Sequence, residues 1–341
     1  MALSTRRLAQ LAGVSAMTAS RALRGRDGIS DETRRKLVRL ARKHGMPIPA
    51  TRAPETPGLL NVLGSMIFTK EESAQPERAF NARLLAGLRR GAAECGAEII
   101  DCACSADDLW PLVVNRRQVD GAVLVRGDEH TPYPPFPAPV PTVFIFTGPE
   151  EADVITADNF GASRGLGLHL AELGHRRVAY LGPETEMAHR RLAGLRTGLE
   201  TAGGQILPAC VRTRIKAMRP ETVVAMTDSL LESYPPDAGA PLAFTALMAY
   251  NDHMAAAAIL RLRERGLRVP EDISVVGFDA VIPPWYDGPA ITTVAIPLEE
   301  IGAEAARFLY WRLAHPDAPR RHLTLSTTFV PGNTTARPAS P

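Results

Sequence analysis

Long hydrophobic runs are missing from this chain of 341 residues. No stretch approaches the roughly 18 apolar residues that a membrane-spanning helix needs, and the opening MALSTRRLAQ lacks the apolar segment of a secretory signal. We therefore expect a cytoplasmic protein without a membrane partner. Cysteine is scarce as well, with four residues, and only Cys102 and Cys104 lie close together without a second Cys or His pair. This spacing favours reduced, mostly buried thiols over a zinc site.

The motifs of common enzyme classes are also absent. The chain contains no phosphate-binding GxxxxGK[ST] loop, no GxSxG nucleophile turn and no HExxH zinc helix. The stretch GASRGLG, residues 161–167, resembles a dinucleotide-binding loop only loosely, since its glycines are predicted to lie within a helix. We therefore expect no catalysis, no cofactor and no metal.

Charge is unevenly distributed along the chain, although its formal net value is only +2. Residues 1–52 hold 12 Lys or Arg and 3 Asp or Glu, a net charge of +9, which leaves 27 basic and 34 acidic residues in the remainder, a net charge of −7. A basic charge run is often only a solvated face. A small basic head on an acidic body nevertheless favours a polyanionic partner for the head.

The head has the pattern of a three-helix unit. Apolar and small residues recur at helical spacing on both sides of Gly13, which predicts two short helices at a tight turn, with Ser15 capping the second. A third helix is predicted from its Ser30 cap to Gly45, with Leu37, Leu40 and Ala41 on one face. Three such helices in about 45 residues are typical of a helix-turn-helix domain.

The second predicted helix, within AGVSAMTASRAL, carries a single charge, Arg21. Small residues let a recognition helix enter the major groove closely, and few base-reading side chains are needed there. We predict that Arg21 bonds a guanine edge and that Ala16 and Met17 contact thymine methyls. The phosphate contacts are predicted for Ser15, Thr18 and Ser20. The alternative is a structural bundle with a soluble face.

The head also resembles the DNA-binding domain of the LacI/GalR family of bacterial transcription regulators. The resemblance rests on LAQLAGVSAMTASRALRG and ISDETRRKLVRLARKHG, whose residues match the family pattern A-x-x-A-G-V-S-x-x-T-V-S-R-V-L followed by V-S-x-x-T-R-x-R-V. Two departures are Arg7, where the family usually has Asp, and Ala19, where it has Val. The resemblance implies double-stranded operator DNA as the partner.

A proline-rich linker, residues 47–58, follows the head. In the resembled family this segment forms a hinge helix on DNA, and its leucine opens the minor groove. The leucine position falls here on Glu55, whose carboxylate cannot serve as an apolar wedge and is repelled by phosphate. We predict that the protein lacks the usual minor-groove intercalation and bends its operator less, and a large central kink that disappears in Glu55→Ala in a bending assay would contradict this. The alternative is a register shift that brings Leu59 or Leu60 into that role.

The body, residues 59–341, alternates apolar runs with amphipathic segments, which predicts parallel sheets covered by helices on both faces. Several of its segments, among them VDGAVLV, YNDHMAAAAI and PEDISVVGFD, also resemble the family in order. This implies an α/β periplasmic-binding-protein-like body of two Rossmann-like subdomains behind the all-α helix-turn-helix head. We predict the domain bounds 1–46 for the head, 47–58 for the hinge, 59–157 with 283–316 for the N-subdomain, and 158–282 with 317–341 for the C-subdomain.

The resemblance implies an effector in the cleft between the subdomains. Arg191 matches the family's effector-binding arginine, Asp279 its hydroxyl-binding aspartate, and Asn251 and Asp252 lie where a strand gives way to a helix. A fork of donors with a carboxylate suits a hydroxyl-rich ligand such as a sugar. Each residue has an alternative role in a strand-end hydrogen-bond network. Weaker candidates near strand ends or cleft loops are Phe68, Arg126, Asn159, His189 and Trp285.

The cationic run His189-Arg190-Arg191 hints at an acidic sugar or another anionic effector, unless these arginines lie on the helix surface. Together these features predict a ligand-responsive transcriptional regulator, a repressor of carbohydrate-related genes that binds a two-fold operator as a homodimer. One alternative is a solute-binding module of a transport system. Another is an enzyme with an appended DNA-binding head.

Overall fold

The computed structural model describes residues 4–23, 33, 36–37, 40–41, 62–68, 75–103, 110–126, 133–214, 219–233 and 243–339. The predicted linker 47–58, its Glu55, and both predicted ends of the third head helix, Ser30 and Gly45, lie outside the described residues.

The head begins with two short helices, α1 (Thr5–Ala12) and α2 (Ala16–Leu23). Ser4 Oγ accepts a hydrogen bond from the Arg7 amide in the first turn of α1, and Gly13 ends that helix at a φ of 72°, a left-handed conformation in which glycine is unstrained. Ser15 caps α2 by accepting a hydrogen bond from the Thr18 amide over 3.0 Å, as predicted. The tight turn between the helices therefore follows directly from the sequence.

Eight apolar residues form the described core of the head. Leu37 and Ala41 are helical and buried with it, and Leu40 packs against it, which confirms the predicted inner face of the third helix. Five of the eight are alanines, so the helices approach closely; the core comprises Leu8, Ala9, Ala12, Ala19, Ala22, Leu23, Leu37 and Ala41.

The body contains two sheets with parallel strands. The first has the order β11-β5-β4-β3-β1-β2, formed by β1 (Val62–Phe68), β2 (Glu98–Ala103), β3 (Gly121–Arg126), β4 (Thr142–Ile145), β5 (Asp153–Ala157) and β11 (His322–Leu325). The second has the order β7-β6-β8-β9, formed by β6 (Val178–Pro183), β7 (Val211–Arg214), β8 (Ala246–Ala249) and β9 (Ser274–Val276). A third, two-stranded sheet is formed by β10 (Thr293–Ala295) and β12 (Thr328–Val330), which pair antiparallel.

Helices connect these strands, as the alternating pattern predicts. They are α3 (Gln75–Glu94), α4 (Leu112–Asn115), α5 (Asn159–Leu173), α6 (Glu186–Glu200), α7 (Pro220–Glu232), α8 (Asp252–Glu264) and α9 (Leu298–Ala314), with a 3-10 turn at Pro208–Cys210. The strands β6 and β8 are buried throughout, which is typical of a parallel sheet covered on both faces. No helix within the described ranges is long and apolar enough to cross a membrane.

The chain divides into two compact units. Unit 1 comprises Met1–Glu72, Leu84–Thr156 and Glu299–Leu323, and unit 2 comprises Ser73–Arg83, Ala157–Leu298 and Thr324–Pro341. The crossing after residue 156 lies one residue from the predicted bound, whereas residues 73–83 are assigned to unit 2 although they lie inside the predicted N-subdomain. Two further differences are found near the C-terminus, where residues 283–298 belong to unit 2 and residues 317–323 to unit 1.

Hydrogen bonds explain the two differences near the C-terminus. The Asp279 amide donates to the Val294 carbonyl over 2.8 Å, and the Thr292 amide donates to Thr334, so β10 is tied to unit 2. In unit 1 the Val154 amide donates to the Arg321 carbonyl and the Arg321 amide donates to Asp153. Neither pairing could be anticipated from local periodicity.

Candidate functional site

The helix α2 presents the side chains predicted to contact DNA. Met17 is 70% exposed, Ser15, Ala16 and Arg21 are also exposed, and Thr18 and Ser20 are half-buried. On the opposite face, Ala19, Ala22 and Leu23 are buried in the head core. A large apolar side chain left so open on a basic domain fits a base-contacting role, as the sequence predicts. The individual DNA contacts remain predictions.

The hydroxyls of α2 are partly occupied within the helix. Ser15 Oγ lies 2.8 Å from Thr18 Oγ1, in addition to accepting from the Thr18 amide. The two hydroxyls therefore form a small network at the helix N-terminus, where the helix dipole favours an anion. This arrangement is compatible with the predicted phosphate contacts.

In unit 2 the predicted effector residues gather at the carboxyl ends of parallel strands, where open α/β sheets bind ligands. Arg191 lies on α6, which follows β6, whereas Asn251 and Asp252 follow β8. Asp279 comes three residues after the end of β9. Strand succession alone thus brings these residues to one edge.

Close packing between α5 and α6 fixes the base of this cluster. A Cβ at Gly194 would lie 2.3 Å from the Phe160 carbonyl oxygen, and one at Gly198 would lie 2.2 Å from that of Arg164. Only glycine permits backbone atoms to approach so closely. The first residue of α5, Asn159, is thereby held against α6 and Arg191.

Arg191 is the centre of the cluster and is only 1% exposed. Its Nε donates to Asn159 Oδ1 over 2.9 Å, one terminal nitrogen donates to the Tyr250 carbonyl over 2.6 Å, and the other reaches Asp279 Oδ1 over 3.0 Å. The guanidinium lies 3.8 Å from the ring centre of Phe278 and 4.4 Å from that of Tyr250. Burial lowers the pKa of Arg191, but the larger combined effect of Asp279, Tyr250 and Tyr180 raises it above its ordinary value. The residue therefore stays charged.

Asp279 is the accessible partner of this ion pair. Its side chain retains 10% exposure, compared with 2% for that of Arg191. Burial raises the pKa of Asp279, and the neighbouring Arg191 opposes that shift. Since an adjacent guanidinium favours the ionised form, the carboxylate can accept hydrogen bonds from a bound hydroxyl group.

Asn251 and Asp252 are used by the protein itself. Asn251 caps α8, its Oδ1 accepting from the Met254 amide over 3.0 Å. Asp252 is fully buried, and its Oδ2 accepts from the Val281 amide over 2.8 Å.

The other carboxylate oxygen of Asp252 has an unusual environment. Burial is the main cause that raises the pKa of Asp252 to about 7, and the facing Thr293 hydroxyl acts in the opposite direction. Within the described residues, however, neither Asp252 Oδ1 nor Thr293 Oγ1 has a hydrogen-bond partner of normal geometry. The Thr293 hydroxyl therefore faces the Asp252 carboxyl without a formed hydrogen bond.

His189 and Arg190, which precede Arg191 in the sequence, each lie beside a carboxylate of the protein. His189 Nε2 lies 3.3 Å from Glu184 Oε1, and Arg190 pairs with Glu186 over 2.8 Å. Both side chains are exposed on α6, whereas Arg191 is buried with Asp279. Each member of the run faces a carboxylate, so the sequence-based argument for an anionic effector loses its support.

Three weaker candidates are placed as follows. Trp285 is 40% exposed, and its ring meets the buried His253 edge to face at 5.1 Å. Phe68 and Arg126 are the last residues of the neighbouring strands β1 and β3 in unit 1, where they are register partners. Their backbone therefore lies at the carboxyl edge of that sheet.

The aromatic and sulfur-containing neighbours of Arg191 were not predicted from the sequence. Tyr250 and Phe278 enclose the guanidinium, and Met187 Sδ lies 3.7 Å from its terminal nitrogen. Tyr250 and Phe278 directly precede Asn251 and Asp279, so the position before each polar strand-end residue was the available signal. No group of three or more potential metal-ligating side chains occurs within the described part of the chain.

Two family models match the chain. The model of bacterial regulatory proteins of the lacI family covers residues 7–46, and that of the periplasmic binding protein-like domain covers residues 168–335. Among curated relatives, the regulator DegA of Bacillus subtilis is 28% identical over 88% of both chains. The regulator CelR of Thermobifida fusca is 28% identical over 95% of both.

Solved structures agree with these matches. A complex of the transcriptional regulator CelR with cellobiose superposes with a TM-score of 0.68 at 28% identity, covering 97% of this chain and 99% of that one. The lac repressor dimer bound to operator and the anti-inducer ONPF has the same fold, with a TM-score of 0.63 at 24% identity, 98% of this chain and 100% of that one being covered.

A helix-turn-helix head joined to a periplasmic-binding-protein-like body defines a class of DNA-binding transcriptional regulators. The chain carries a LacI-family helix-turn-helix domain followed by a periplasmic-binding-protein-like domain, and its relatives are transcriptional regulators of the LacI family. This confirms the predicted family and fold class, and it does not favour the alternative of a transport module.

Proposed function

We propose that this regulator binds a neutral, hydroxyl-rich effector, most simply a sugar, through Asp279 and Arg191. The observation that carries the proposal is the Arg191–Asp279 pair, in which the arginine is buried and the carboxylate retains partial exposure. A hydroxyl group can donate to Asp279 without a cost of bringing the guanidinium into position, because Asn159 and Tyr250 already hold it. The structure of a similar regulator, CelR, is that of a complex with cellobiose, which supports a sugar as the effector of this chain.

Further parts of the proposal concern DNA and assembly. The chain acts in the cytoplasm as a homodimer that represses carbohydrate-related genes, because one head makes few base contacts and paired heads read a two-fold operator. The effector alters operator affinity by preferring one conformational state of the body, which is linkage between two sites. Since the relatives are regulators, we infer binding rather than catalysis. Direct effector contacts by Phe68, Arg126, Asn159, Asn251, His189 and Trp285 remain predictions.

Thermal-shift screening of the full-length chain tests the choice of effector. Neutral mono- and disaccharides, sugar acids and sugar phosphates would be compared at equal concentration. We expect stabilisation by a neutral sugar, by an amount that grows with its concentration. A response confined to sugar acids or sugar phosphates would contradict the proposal, since each side chain of the HRR run already lies beside a carboxylate of the protein.

A further inference from the structure

The chain takes an uncommon path as it leaves β9. Asp279 and Ala280 are consecutive non-glycine residues at φ values of 94° and 52°. Residues with a Cβ rarely adopt this left-handed region, and they keep it only when surrounding contacts hold them there. The direction of the Asp279 side chain therefore depends on whatever holds the segment 278–281.

Asp252 brackets this segment from both sides. Its backbone amide donates to the Phe278 carbonyl over 2.9 Å, and its Oδ2 accepts from the Val281 amide over 2.8 Å. Between these two contacts the Asp279 amide donates to the Val294 carbonyl. One residue at the start of α8 thus ties down the residues on either side of the two left-handed positions.

The pocket around the Asp252 carboxyl is closed and is built around it. The side chain is fully buried, and a Cβ at Gly277 would lie 2.1 Å from its Oδ1. The absence of a side chain at Gly277 therefore makes room for this oxygen. A group enclosed in this way is not exposed to a bound ligand.

We propose that Asp252 is a positioning residue, which holds the 278–281 segment so that Asp279 meets Arg191, and that it does not contact the effector. The link to effector binding rests on the function proposed above, whereas the link to the backbone segment does not. Asp252 then acts as a hydrogen-bond acceptor, and its negative charge is dispensable.

An asparagine at position 252 separates the role of a hydrogen-bond acceptor from that of a negative charge. Asp252→Asn keeps one carbonyl oxygen for the Val281 amide, and its amide nitrogen replaces the partnerless Oδ1, where it faces the equally partnerless Thr293 Oγ1. Asp252→Ser keeps a small polar residue at the start of α8 but is too short to reach Val281. Thr227→Ala is a matched control. It also removes a fully buried polar group of unit 2, a hydroxyl whose hydrogen bond lies within α7.

Hydrogen exchange on the full-length chain, measured by mass spectrometry without effector, tests the proposal. Pro283 and Pro284 lack amides, so the segment 279–282 reports on four amides that include Val281. We expect Asp252→Ser to accelerate exchange there by roughly tenfold, the equivalent of one lost buried hydrogen bond. Asp252→Asn and Thr227→Ala should remain within about twofold of the wild type, relative to the β6 amides in each variant.

Two results would overturn the proposal. One is unchanged exchange of the segment in Asp252→Ser, and the other is an equal acceleration in Asp252→Asn and Asp252→Ser. If Asp252→Ser does not fold, Gly277→Ala replaces it, since the added Cβ displaces the same carboxyl, and the same tenfold criterion applies. Failure of every sugar in the thermal-shift screen would instead contradict the proposed effector and leave the exchange result standing.

Discussion

Two buried arginine–aspartate pairs, one in each unit, have the same chemistry and different surroundings. In unit 1, Arg312 binds both oxygens of Asp153, over 2.6 and 2.9 Å, and the Asp153 side chain has no exposure. In unit 2, Arg191 reaches one oxygen of Asp279, whose side chain keeps 10% exposure. The first pair is closed on all sides, and the second can exchange a contact with a ligand.

The remaining donors of the two arginines show the same difference. Arg312 donates to the carbonyls of His315, Ala318 and Pro319, so it fixes the chain that follows α9. Arg191 lies between two aromatic rings beside an amide side chain. We infer that Arg312 is structural, because it binds both oxygens of its aspartate and several backbone carbonyls as well. Arg191 binds one oxygen of a partly exposed aspartate, which we infer to be typical of a ligand-binding pair.

The largest expected effect is on the closed pair. Arg312→Ala leaves the Asp153 carboxylate buried without its main partner, and we expect a loss of about 3–5 kcal/mol in the free energy of unfolding. Urea denaturation of the full chain measures it. The control is Arg307→Ala, which removes a surface network with Glu94, Glu300 and Glu304 and should cost about 1 kcal/mol or less. Equal losses in the two variants would remove the distinction.

The second-largest expected effect is a pH dependence of the free energy of unfolding, which arises from Asp252. The pKa of Asp252 is raised in the folded chain to about 7, with Asp279, Arg191 and Thr293 as the facing groups. The folded chain therefore binds more protons than the unfolded chain between the ordinary carboxyl range and pH 7, so this residue makes stability fall as pH rises through that window.

Asp252→Asn should remove that fall. The two proteins should have nearly equal free energies of unfolding at about pH 4. The variant should then become more stable than the wild type by on the order of 1 kcal/mol for each pH unit up to about 7. Urea unfolding at several pH values measures the difference. A difference that stays constant across this range would show that Asp252 ionises normally.

The open pair should reveal itself through ligand response. Asp279→Ala removes the accessible acceptor, and we expect the thermal shift by the identified sugar to vanish, equivalent to a loss of about 1.5–3 kcal/mol in binding free energy. Operator binding should persist in a gel shift. Asp272→Asn, which alters a surface carboxylate paired with Arg268, is the control and should respond normally. Joint loss of sugar and DNA binding would make Asp279 a structural residue like Asp153.

The smallest expected effect concerns a third arginine, the exposed Arg21 of the head. Arg21→Ala should relax specificity at one operator position, at a cost of about 1–3 kcal/mol. Selection of sequences from a random duplex library at fixed salt measures the change. Uniform weakening over all sequences would show that Arg21 only contacts phosphate.

Sequence patterns predicted most of the architecture because the signals were local. The turn at Gly13, the Ser15 cap and the alternation of buried strands with helices all follow from neighbouring residues. Asp279 and Arg191 were predicted as a functional pair from the family resemblance. By contrast, Arg312 and Asp153 lie 159 positions apart in an amphipathic helix and a short strand, and neither position carries a local signal.

The units' boundaries illustrate the same limit. Residues 283–298 and 317–323 are assigned by backbone hydrogen bonds to distant strands, which periodicity does not reveal. The burial of Asp252 was not predicted for a related reason. Its strand-end position suggested a ligand contact, but its burial and its bond to Val281 depend on a loop residue 29 positions further along the chain.

The glycine contacts between α5 and α6 have a consequence for anyone who wishes to retune this sensor. Because backbone meets backbone at Gly194 and Gly198, those helices tolerate almost no new volume, and substitutions there would damage the scaffold before they changed selectivity. Directed evolution toward another effector should instead diversify the surface loop around Ile282 and Trp285, both of which retain substantial exposure.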